Sequence, residues 1–165
     1  LVLVGESPGW LGCSLYLREV LGREEGAPPP VDLAAERRNG DFVRAMIAAG
    51  YVAACNDLAD GGLLVTLAEM ALASDIGATL GLPDDVPSVA AWLFGEDQGR
   101  YLLAVRPDDL ATVSAEARAA GVIARPVGGT GGDALTLSGH LPISLAELRL
   151  ASESWLPELM GMAEG

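Results

Sequence analysis

Residues 56–63, Asn-Asp-Leu-Ala-Asp-Gly-Gly-Leu, constrain the fold more than any other stretch because they join two segments of different periodicity. The apolar segment 51–55 predicts a β-strand, and the segment from about 61 to 74 predicts an amphipathic helix. The free N–H groups and the positive dipole end of such a helix start can accept an anion. Glycines here let the backbone approach a ligand closely.

Two acidic residues at this corner, Asp57 and Asp60, have two interpretations. Either they cap the helix by accepting hydrogen bonds from its first turn, while Gly61 and Gly62 form a tight turn. Or they hold a divalent cation beside a phosphate that the glycine N–H groups bind. The local sequence is compatible with both.

The composition narrows the class of protein. The 165 residues are 50% hydrophobic, which is enough for the core of one domain. The net charge is −13 and all ten basic residues are arginines without a basic cluster, so we expect no nucleic-acid partner. Charged and glycine residues interrupt every apolar stretch short of a bilayer span, so we expect a soluble, cytoplasmic protein without a membrane segment.

The sequence has few residues that could bind zinc or act as a thiol nucleophile. Cys13 and Cys55 are far apart in sequence, and His140 is the single histidine, so neither a zinc site nor a Cys-His nucleophile is expected. We expect both cysteines to be small buried thiols in a reducing cytoplasm. The chain opens with the apolar run Leu-Val-Leu-Val and no methionine, which suggests a fragment of a longer protein.

Strand-like and helix-like segments alternate along most of the chain, which predicts an α/β or α+β fold, a mixed β-sheet packed with helices in a single domain, 1–165. The predicted strands are 1–4, 51–55, 76–82, 101–105, 125–127 and 134–137. The predicted helices are 11–21, 32–49, 61–74, 88–93, 107–120 and 145–150, with a tail helix in 151–165.

The sequence also gives predictions for several loops and polar residues. Segment 128–133 is glycine-rich but has no lysine and leads into a strand, so we predict a hairpin rather than a phosphate loop. Residues 83–87 form a loop, and Arg37-Arg38-Asn39 forms a solvated patch. Glu69 lies among apolar neighbours, so we expect a half-buried carboxylate that either caps a backbone group or faces a cleft.

A second polar segment, 94–100, directly precedes the apolar strand 101–105. Its polar residues, Glu96, Asp97, Gln98 and Arg100, form either a ligand site or a salt-bridged turn. Arg100 can pair with a phosphate or with Glu96.

Four segments together resemble one enzyme family. Residues 56–63 followed by Leu-Ala-Glu-Met-Ala at 67–71 resemble the Asp-x-Ser-Asp-Gly-Gly-Leu and Ala-Glu-Met-Ala signature of phosphoribosylformylglycinamidine synthase. Residues 11–17 are similar to its Leu-Gly-Gly-Ser-x-Tyr-Leu segment, and 93–100 to its Glu-Ser-Gln-Gly-Arg segment. Residues 128–137 are similar to its Gly-Gly-Asp-x-Leu segment. The likeness spans nearly the whole chain.

The resemblance implies the last domain of the family's synthetase subunit, of the aminoimidazole ribonucleotide synthase-related C-terminal type. The parent enzyme would be an ATP-dependent carbon-nitrogen ligase of purine biosynthesis. It would convert formylglycinamide ribonucleotide and glutamine-derived ammonia to the amidine, with ADP and phosphate as products. Implied cofactors are ATP and Mg²⁺. Implied partners are the remaining domains, a glutaminase subunit, a small accessory subunit and the phosphoribosyl substrate.

The resemblance also implies which residues line a ligand cleft, without a complete catalytic set or a metal site in this domain. These phosphate- or ligand-binding candidates are Asp57, Asp60, Gly61, Gly62, Glu96, Gln98 and Arg100. Asn56 stands where the signature commonly has histidine, and Ala59 replaces its serine, as in a non-catalytic copy of the domain. We expect the isolated domain to be inactive.

Two other functions remain open from the sequence. The domain can be a structural half that docks the other subunits without binding a ligand. It can also belong to a related ATP-dependent enzyme, such as a selenophosphate synthetase, a hydrogenase-maturation factor or a thiamine-monophosphate kinase. Segment 94–100 and Trp155-Leu156-Pro157 argue against these relatives.

Overall fold

A computed structural model describes residues 1–84, 86 and 88–161. Within them, eight strands form two four-stranded sheets. The strands are β1 (Val2–Val4), β2 (Val52–Asp57), β3 (Ala78–Leu80), β4 (Tyr101–Val105), β5 (Ala124–Pro126), β6 (Gly128–Thr130), β7 (Ala134–Leu137) and β8 (Ile143–Ser144). The helices are α1 (Leu33–Ala48), α2 (Gly62–Ser74), α3 (Val89–Phe94), α4 (Leu110–Ala119), α5 (Leu145–Glu153) and α6 (Trp155–Leu159). A π-helix, Tyr16–Val20, and a 3-10 turn, Pro107–Asp109, complete the set.

The first sheet has the order β2-β4-β1-β5 and is antiparallel throughout. Both of its faces are covered, because side chains alternate along a strand. On β1, Leu3 packs into a core shared with α2 and the second sheet, while Val2 and Val4 pack into a core with α1 and α4. The prediction that this strand is buried on both faces is confirmed.

The second sheet has the order β6-β3-β7-β8. It is mixed, because β3 pairs antiparallel with β6 and parallel with β7. The expected class, helices packed on a mixed sheet, is therefore confirmed, although the strands divide into two sheets.

The predicted hairpin across 128–133 is wrong. β3 lies between β6 and β7, so the glycine-rich link passes over the end of β3 instead of turning between neighbouring strands. Gly77 N–H donates to the Gly132 carbonyl at 2.8 Å, and Gly131 N–H donates to the Gly77 carbonyl at 2.7 Å. A Cβ on Gly77 would lie 2.4 Å from the Ala134 carbonyl oxygen, so this close crossing requires glycine. Burial of Ala78 and Leu80 places β3 at the centre of the sheet.

Helix α1 follows from local sequence. The Asp32 side chain accepts hydrogen bonds from Ala34 N–H at 2.9 Å and Ala35 N–H at 3.0 Å. Phe42 and Met46 bury one face, and Gly50 follows the helix with φ +79°, as the expected glycine stop. The prediction that Arg37, Arg38 and Asn39 form a solvated patch is wrong for Asn39. This residue is buried, and its Nδ2 donates to the Gly99 carbonyl at 2.9 Å.

Several boundaries differ from the predictions. The helix expected over 11–21 is reduced to the π-helix Tyr16–Val20, and the strand expected over 76–82 to Ala78–Leu80. The helix expected from 107 starts as a 3-10 turn. In the described part of the predicted tail, α5 extends to Glu153 and α6 covers Trp155–Leu159. Residues 85, 87 and 162–165, which belong to the predicted loop and tail, lie outside the described residues.

Both cysteine side chains are exposed, so the expectation of buried thiols is wrong. Cys13 lies in a loop with φ +59°, and Cys55 lies on β2, an edge strand whose middle residues are open to solvent. Among the described residues, no helix has the length and apolar character needed to cross a membrane.

Candidate functional site

A cavity of about 320 Å³ lies where β2 ends and α2 begins. Segment 94–100 and helix α1 close its other sides. It is lined by Pro29, Glu36, Asp57, Leu58, Ala59, Asp60, Glu96, Gln98, Gly99, Arg100 and Tyr101. The two segments that the sequence indicated as separate candidates, 56–63 and 94–100, therefore meet at one place.

Five of the seven predicted site residues line this cavity: Asp57, Asp60, Glu96, Gln98 and Arg100. The other two, Gly61 and Gly62, are buried behind the lining at the start of α2. Strand β2 extends beyond its predicted end through Asp57, which brings that carboxylate opposite Tyr101 in the register with β4.

The start of α2 shows that neither aspartate is its cap. The N-cap residue is Gly61, with φ +78°, and its N–H donates to Glu96 Oε1 at 2.8 Å. Gly62 N–H donates to the Ala59 carbonyl at 3.1 Å. The capping interpretation of Asp57 and Asp60 is therefore wrong, and a carboxylate from a distant segment takes that role.

Gly62 is also required by packing. Its φ is +66°, and an added Cβ would lie 2.5 Å from the Gly95 carbonyl oxygen. The backbone of α2 thus touches the backbone of the 94–100 segment directly, which fixes the two candidate segments against each other.

Arg100 is the buried centre of this region, with a fully inaccessible side chain. Its Nε donates to the Asp97 carbonyl at 3.2 Å, one terminal nitrogen donates to Ser7 Oγ at 3.2 Å, and the other donates to the Gly95 carbonyl. Burial lowers the pKa of Arg100, and the neighbouring Asp97 charge acts in the opposite direction. The guanidinium is therefore used inside the fold rather than presented to the cavity.

Asp97 is a residue that sequence reasoning did not place among the ligand-binding candidates. Its carboxylate is 3.6 Å from the Arg100 guanidinium and accepts hydrogen bonds from Gly9 N–H at 3.1 Å and Trp10 N–H at 2.9 Å. These partners are almost ninety residues away along the chain, so no local pattern indicates them. Glu36 and Tyr101 were likewise missed; only the place of Tyr101 directly after a polar segment was a signal for it.

The cavity has a negative electrostatic character. Four carboxylates line it, those of Glu36, Asp57, Asp60 and Glu96. Among the described lining residues Arg100 is the only cation. Burial raises the pKa of Tyr101, and the Asp57 charge raises it further. On the adjoining strand, partial desolvation and then the Asp57 charge raise the pKa of Cys55, although the residue as a whole is exposed.

The carboxylates that line the cavity are the groups that could bind Mg²⁺. Carboxylate oxygens are suitable ligands for this ion. In the part of the chain that the structure describes, however, no three acidic, histidine or cysteine side chains are grouped so that they could hold a metal ion. The side chains that the structure describes are therefore not arranged as a magnesium site by themselves.

Asn56 and Glu69 form a contact beside the corner. Asn56 Nδ2 donates to Glu69 Oε2 at 3.3 Å, and Glu69 is exposed. The expectation of a half-buried Glu69 carboxylate is wrong, because the helix turns this residue toward β2 and solvent.

Residues 1–138 match the family described as AIR synthase related protein, C-terminal domain. The chain belongs to this family. It is 60% identical over 159 residues to phosphoribosylformylglycinamidine synthase subunit PurL of Rhodospirillum rubrum, covering 94% of this chain and 21% of that protein. It is 56% identical over 161 residues to subunit PurL of Rhodopseudomonas palustris, covering 98% of this chain and 22% of that protein. The resemblance drawn from the motifs is confirmed.

This AIR synthase related domain thus spans about a fifth of the length of the curated relatives it matches. Its fold is similar to that of Thermotoga maritima PurL complexed with FGAR, with a TM-score of 0.72 and 19% identity over 89% of this chain and 27% of that one. Thiamine-monophosphate kinase from Stenotrophomonas maltophilia has a TM-score of 0.56 and 18% identity over 84% of this chain and 50% of that one. At these identities the likeness shows the fold alone.

Proposed function

We propose that this domain is the carboxyl-terminal part of a phosphoribosylformylglycinamidine synthase. The parent would be an ATP-dependent ligase that converts formylglycinamide ribonucleotide and ammonia to the amidine, ADP and phosphate. The observation that carries this proposal is the 60% identity to a PurL subunit over nearly the whole chain. No such identity links the domain to the kinase of similar fold, at 18%.

Within that enzyme, the cavity beside α2 would form one wall of a ligand cleft. Asp57, Asp60 and Gln98 are the lining groups most available to a ligand, since Arg100 is enclosed and Glu96 accepts hydrogen bonds from the protein itself. A bare phosphate would meet several carboxylates here, and the resulting repulsion disfavours it. The expected ATP and Mg²⁺ would therefore depend on ligands from other domains of the parent.

The interior hydrogen bonds of Arg100 support a second candidate function. Because this guanidinium is held by Ser7, Asp97 and Gly95, the cavity has no available cation among the described lining residues. A purely structural domain, which docks the glutaminase and small accessory subunits without binding a ligand, is compatible with that arrangement.

The deciding experiment uses the intact parent enzyme with ammonia as the nitrogen donor. ADP release that depends on formylglycinamide ribonucleotide is compared for wild type, Asp60→Asn and Asp108→Asn. Asp60 lines the cavity, whereas Asp108 is an exposed residue of the 3-10 turn with the same change of charge.

We expect Asp60→Asn to lower the rate by at least about tenfold with folding unchanged, and Asp108→Asn to leave it at the wild-type value. An equal rate in all three proteins would support the structural role of the domain. Absence of substrate-dependent ADP release from the wild-type parent would overturn the assignment to this ligase.

The cellular setting belongs to the same proposal. The parent enzyme would work in the cytoplasm with its glutaminase and small accessory subunits. Co-purification of those subunits with the tagged parent, but not with a parent that lacks residues 1–165, would support docking through this domain.

A further inference from the structure

Residues 9–30, here called the strap, form a loop that includes the π-helix Tyr16–Val20 and lies against the 94–97 segment. Ser14 is the one buried residue of the strap, and 18–28 are all exposed. Neither hydrophobic core includes a strap residue. A segment with so few buried apolar contacts opens more easily than the rest of a fold.

The strap is closed on itself. Cys13 N–H donates to the Glu25 carbonyl at 3.0 Å, and Trp10 Nε1 donates to the Ala27 carbonyl at 2.8 Å. Where the two arms cross, a Cβ on Gly26 would lie 2.8 Å from the Cα of Gly12, so they touch backbone to backbone. These internal ties make the strap a single unit rather than a flexible chain.

The contacts that attach this unit to the domain converge on one short segment. The Asp97 carboxylate accepts from Gly9 and Trp10 N–H, and Glu96 Oε1 accepts from Leu15 N–H at 2.8 Å. Glu96 N–H donates to the Trp10 carbonyl at 2.9 Å. The Tyr16 ring stacks on Phe94, with ring centroids 4.9 Å apart. These five contacts all lie within 94–97, and their release would free most of the strap. At its start, Gly9 also packs closely against Ala91, since a Cβ on Gly9 would lie 2.8 Å from the Ala91 Cβ.

The strap also separates two cavities. Pro29 lines the cavity that contains Asp57 and Asp60, and it lines a neighbouring cavity of about 310 Å³. Glu36 and Gln98 border both. Pro29 is the strap residue at this boundary, so movement of the strap would widen the opening beside Glu36 and Gln98.

From these contacts we propose that the strap is a lid that opens as one body away from the 94–97 segment and controls access to the cavity beside α2. Glu96 is its positioning residue. Because one carboxylate oxygen of Glu96 accepts from both Leu15 and Gly61, the same group ties the lid to the start of α2. The motion is a property of this chain and does not depend on which ligand the cavity holds.

The test is amide hydrogen exchange by NMR on the full 165-residue chain, comparing wild type, Glu96→Gln and Glu19→Gln. Glutamine keeps an acceptor oxygen but loses the charge, which weakens the bonds to Leu15 and Gly61. Glu19 lies on the strap, and within the described part of the chain its ion pair is with Arg18, so it controls for the change of charge.

We expect Glu96→Gln to accelerate exchange about fivefold at Leu15 and by a similar factor at Trp10, Cys13 and Arg23, which Glu96 does not touch through their N–H groups. Residues in the middle of α2 should keep wild-type rates, and Glu19→Gln should change none of these amides. Tryptic cleavage after Arg18 and Arg23 should accelerate with them, while the α1 site Arg44 stays protected.

Acceleration confined to Leu15 and Gly61 would overturn the lid, because it would show independent local fraying. A second result would also overturn the lid: in the wild-type protein, the strap amides exchange as slowly as the buried Leu67 amide. The strap would then open only when the whole domain unfolds. Tyr16→Leu is the second variant, for use if Glu96→Gln does not fold. It removes the ring stacking and should accelerate the same amides together.

Discussion

The Arg100 guanidinium lies 3.6 Å from the Asp97 carboxylate, and the two side chains are 0% and 6% exposed. Asp97 in turn accepts from the Gly9 and Trp10 N–H groups, and Arg100 donates to Ser7. This buried pair therefore ties the residues before and within the strap to strand β4. Replacing one of the two residues by a neutral one leaves the other charge in the interior without its oppositely charged partner.

Arg100→Met should lower the free energy of unfolding by about 3–5 kcal/mol, because the buried Asp97 carboxylate would lose its cationic neighbour and keep its hydrogen bonds from Gly9 and Trp10 N–H. Urea denaturation measures the effect. Arg44→Met, which removes an exposed partner of Asp41, should cost no more than about 1 kcal/mol. The double variant Arg100→Met with Asp97→Asn should cost less than the sum of the single changes. Strict additivity would contradict a coupled pair.

Gly62→Ala should destabilise the protein by more than about 2 kcal/mol. The new Cβ would overlap the Gly95 carbonyl at a positive φ, and backbone atoms cannot move aside cheaply. Gly129→Ala is the matched control, since nothing lies within 4 Å of its added Cβ. Thermal unfolding should give nearly the wild-type Tm for the control, and similar losses in the two variants would refute the close contact between α2 and segment 94–100.

Ser144→Ala should cost about 1 kcal/mol at neutral pH by removing the capping box of α5. Hydrogen bonds from Ser144 lower the pKa of Glu147 below its ordinary value of 4.5. A carboxyl group with a lowered pKa in the folded state stabilises the fold above its unfolded pKa, and this contribution is lost as the pH falls through the folded pKa.

The difference in unfolding free energy between wild type and Ser144→Ala should therefore shrink as the pH drops below 4.5. Denaturation series at several pH values test this dependence. Ser152→Ala makes the same substitution in α5 away from the cap and should stay within about 0.5 kcal/mol of wild type. A difference that stays constant with pH would argue against the Glu147 contact.

Cys55 should alkylate with a pH midpoint above 9.0, the ordinary value for a thiol, because partial burial and then the Asp57 charge raise its pKa. Less thiolate is then present at any pH near neutrality. The Cys13→Ser variant leaves Cys55 as the single thiol, so the rate of reaction with iodoacetamide can be followed directly. Asp57→Asn removes the second cause and should lower the midpoint of Cys55 alkylation part of the way toward 9.0. A midpoint at or below 9.0 would contradict the assigned environment.

Local sequence was sufficient wherever partners are a few residues apart. Asp32, Ser144 and Glu147 lie within one helical turn of the N–H groups that they bind, so helix starts could be inferred directly. The apolar strands 1–4 and 101–105 were also recognisable, because burial on both faces leaves a continuous apolar run. The 56–63 and 94–100 motifs indicated the site and the family.

Only the tertiary structure decided how these pieces meet. Glu96 caps α2 from 35 residues away, Asp97 holds residues almost ninety positions earlier, and β3 separates two strands that are neighbours in sequence. Such pairings depend on which groups the packed core brings within about 3 Å, and a one-dimensional pattern does not contain that distance. The same reason explains Arg100. The sequence left open a ligand contact or a salt-bridged turn with Glu96, and the fold uses Arg100 as an interior cation beside Asp97. The sequence by itself determined most of the helices and strands and the family. Packing determined which charged side chains face the cavity and which ones hold its walls together.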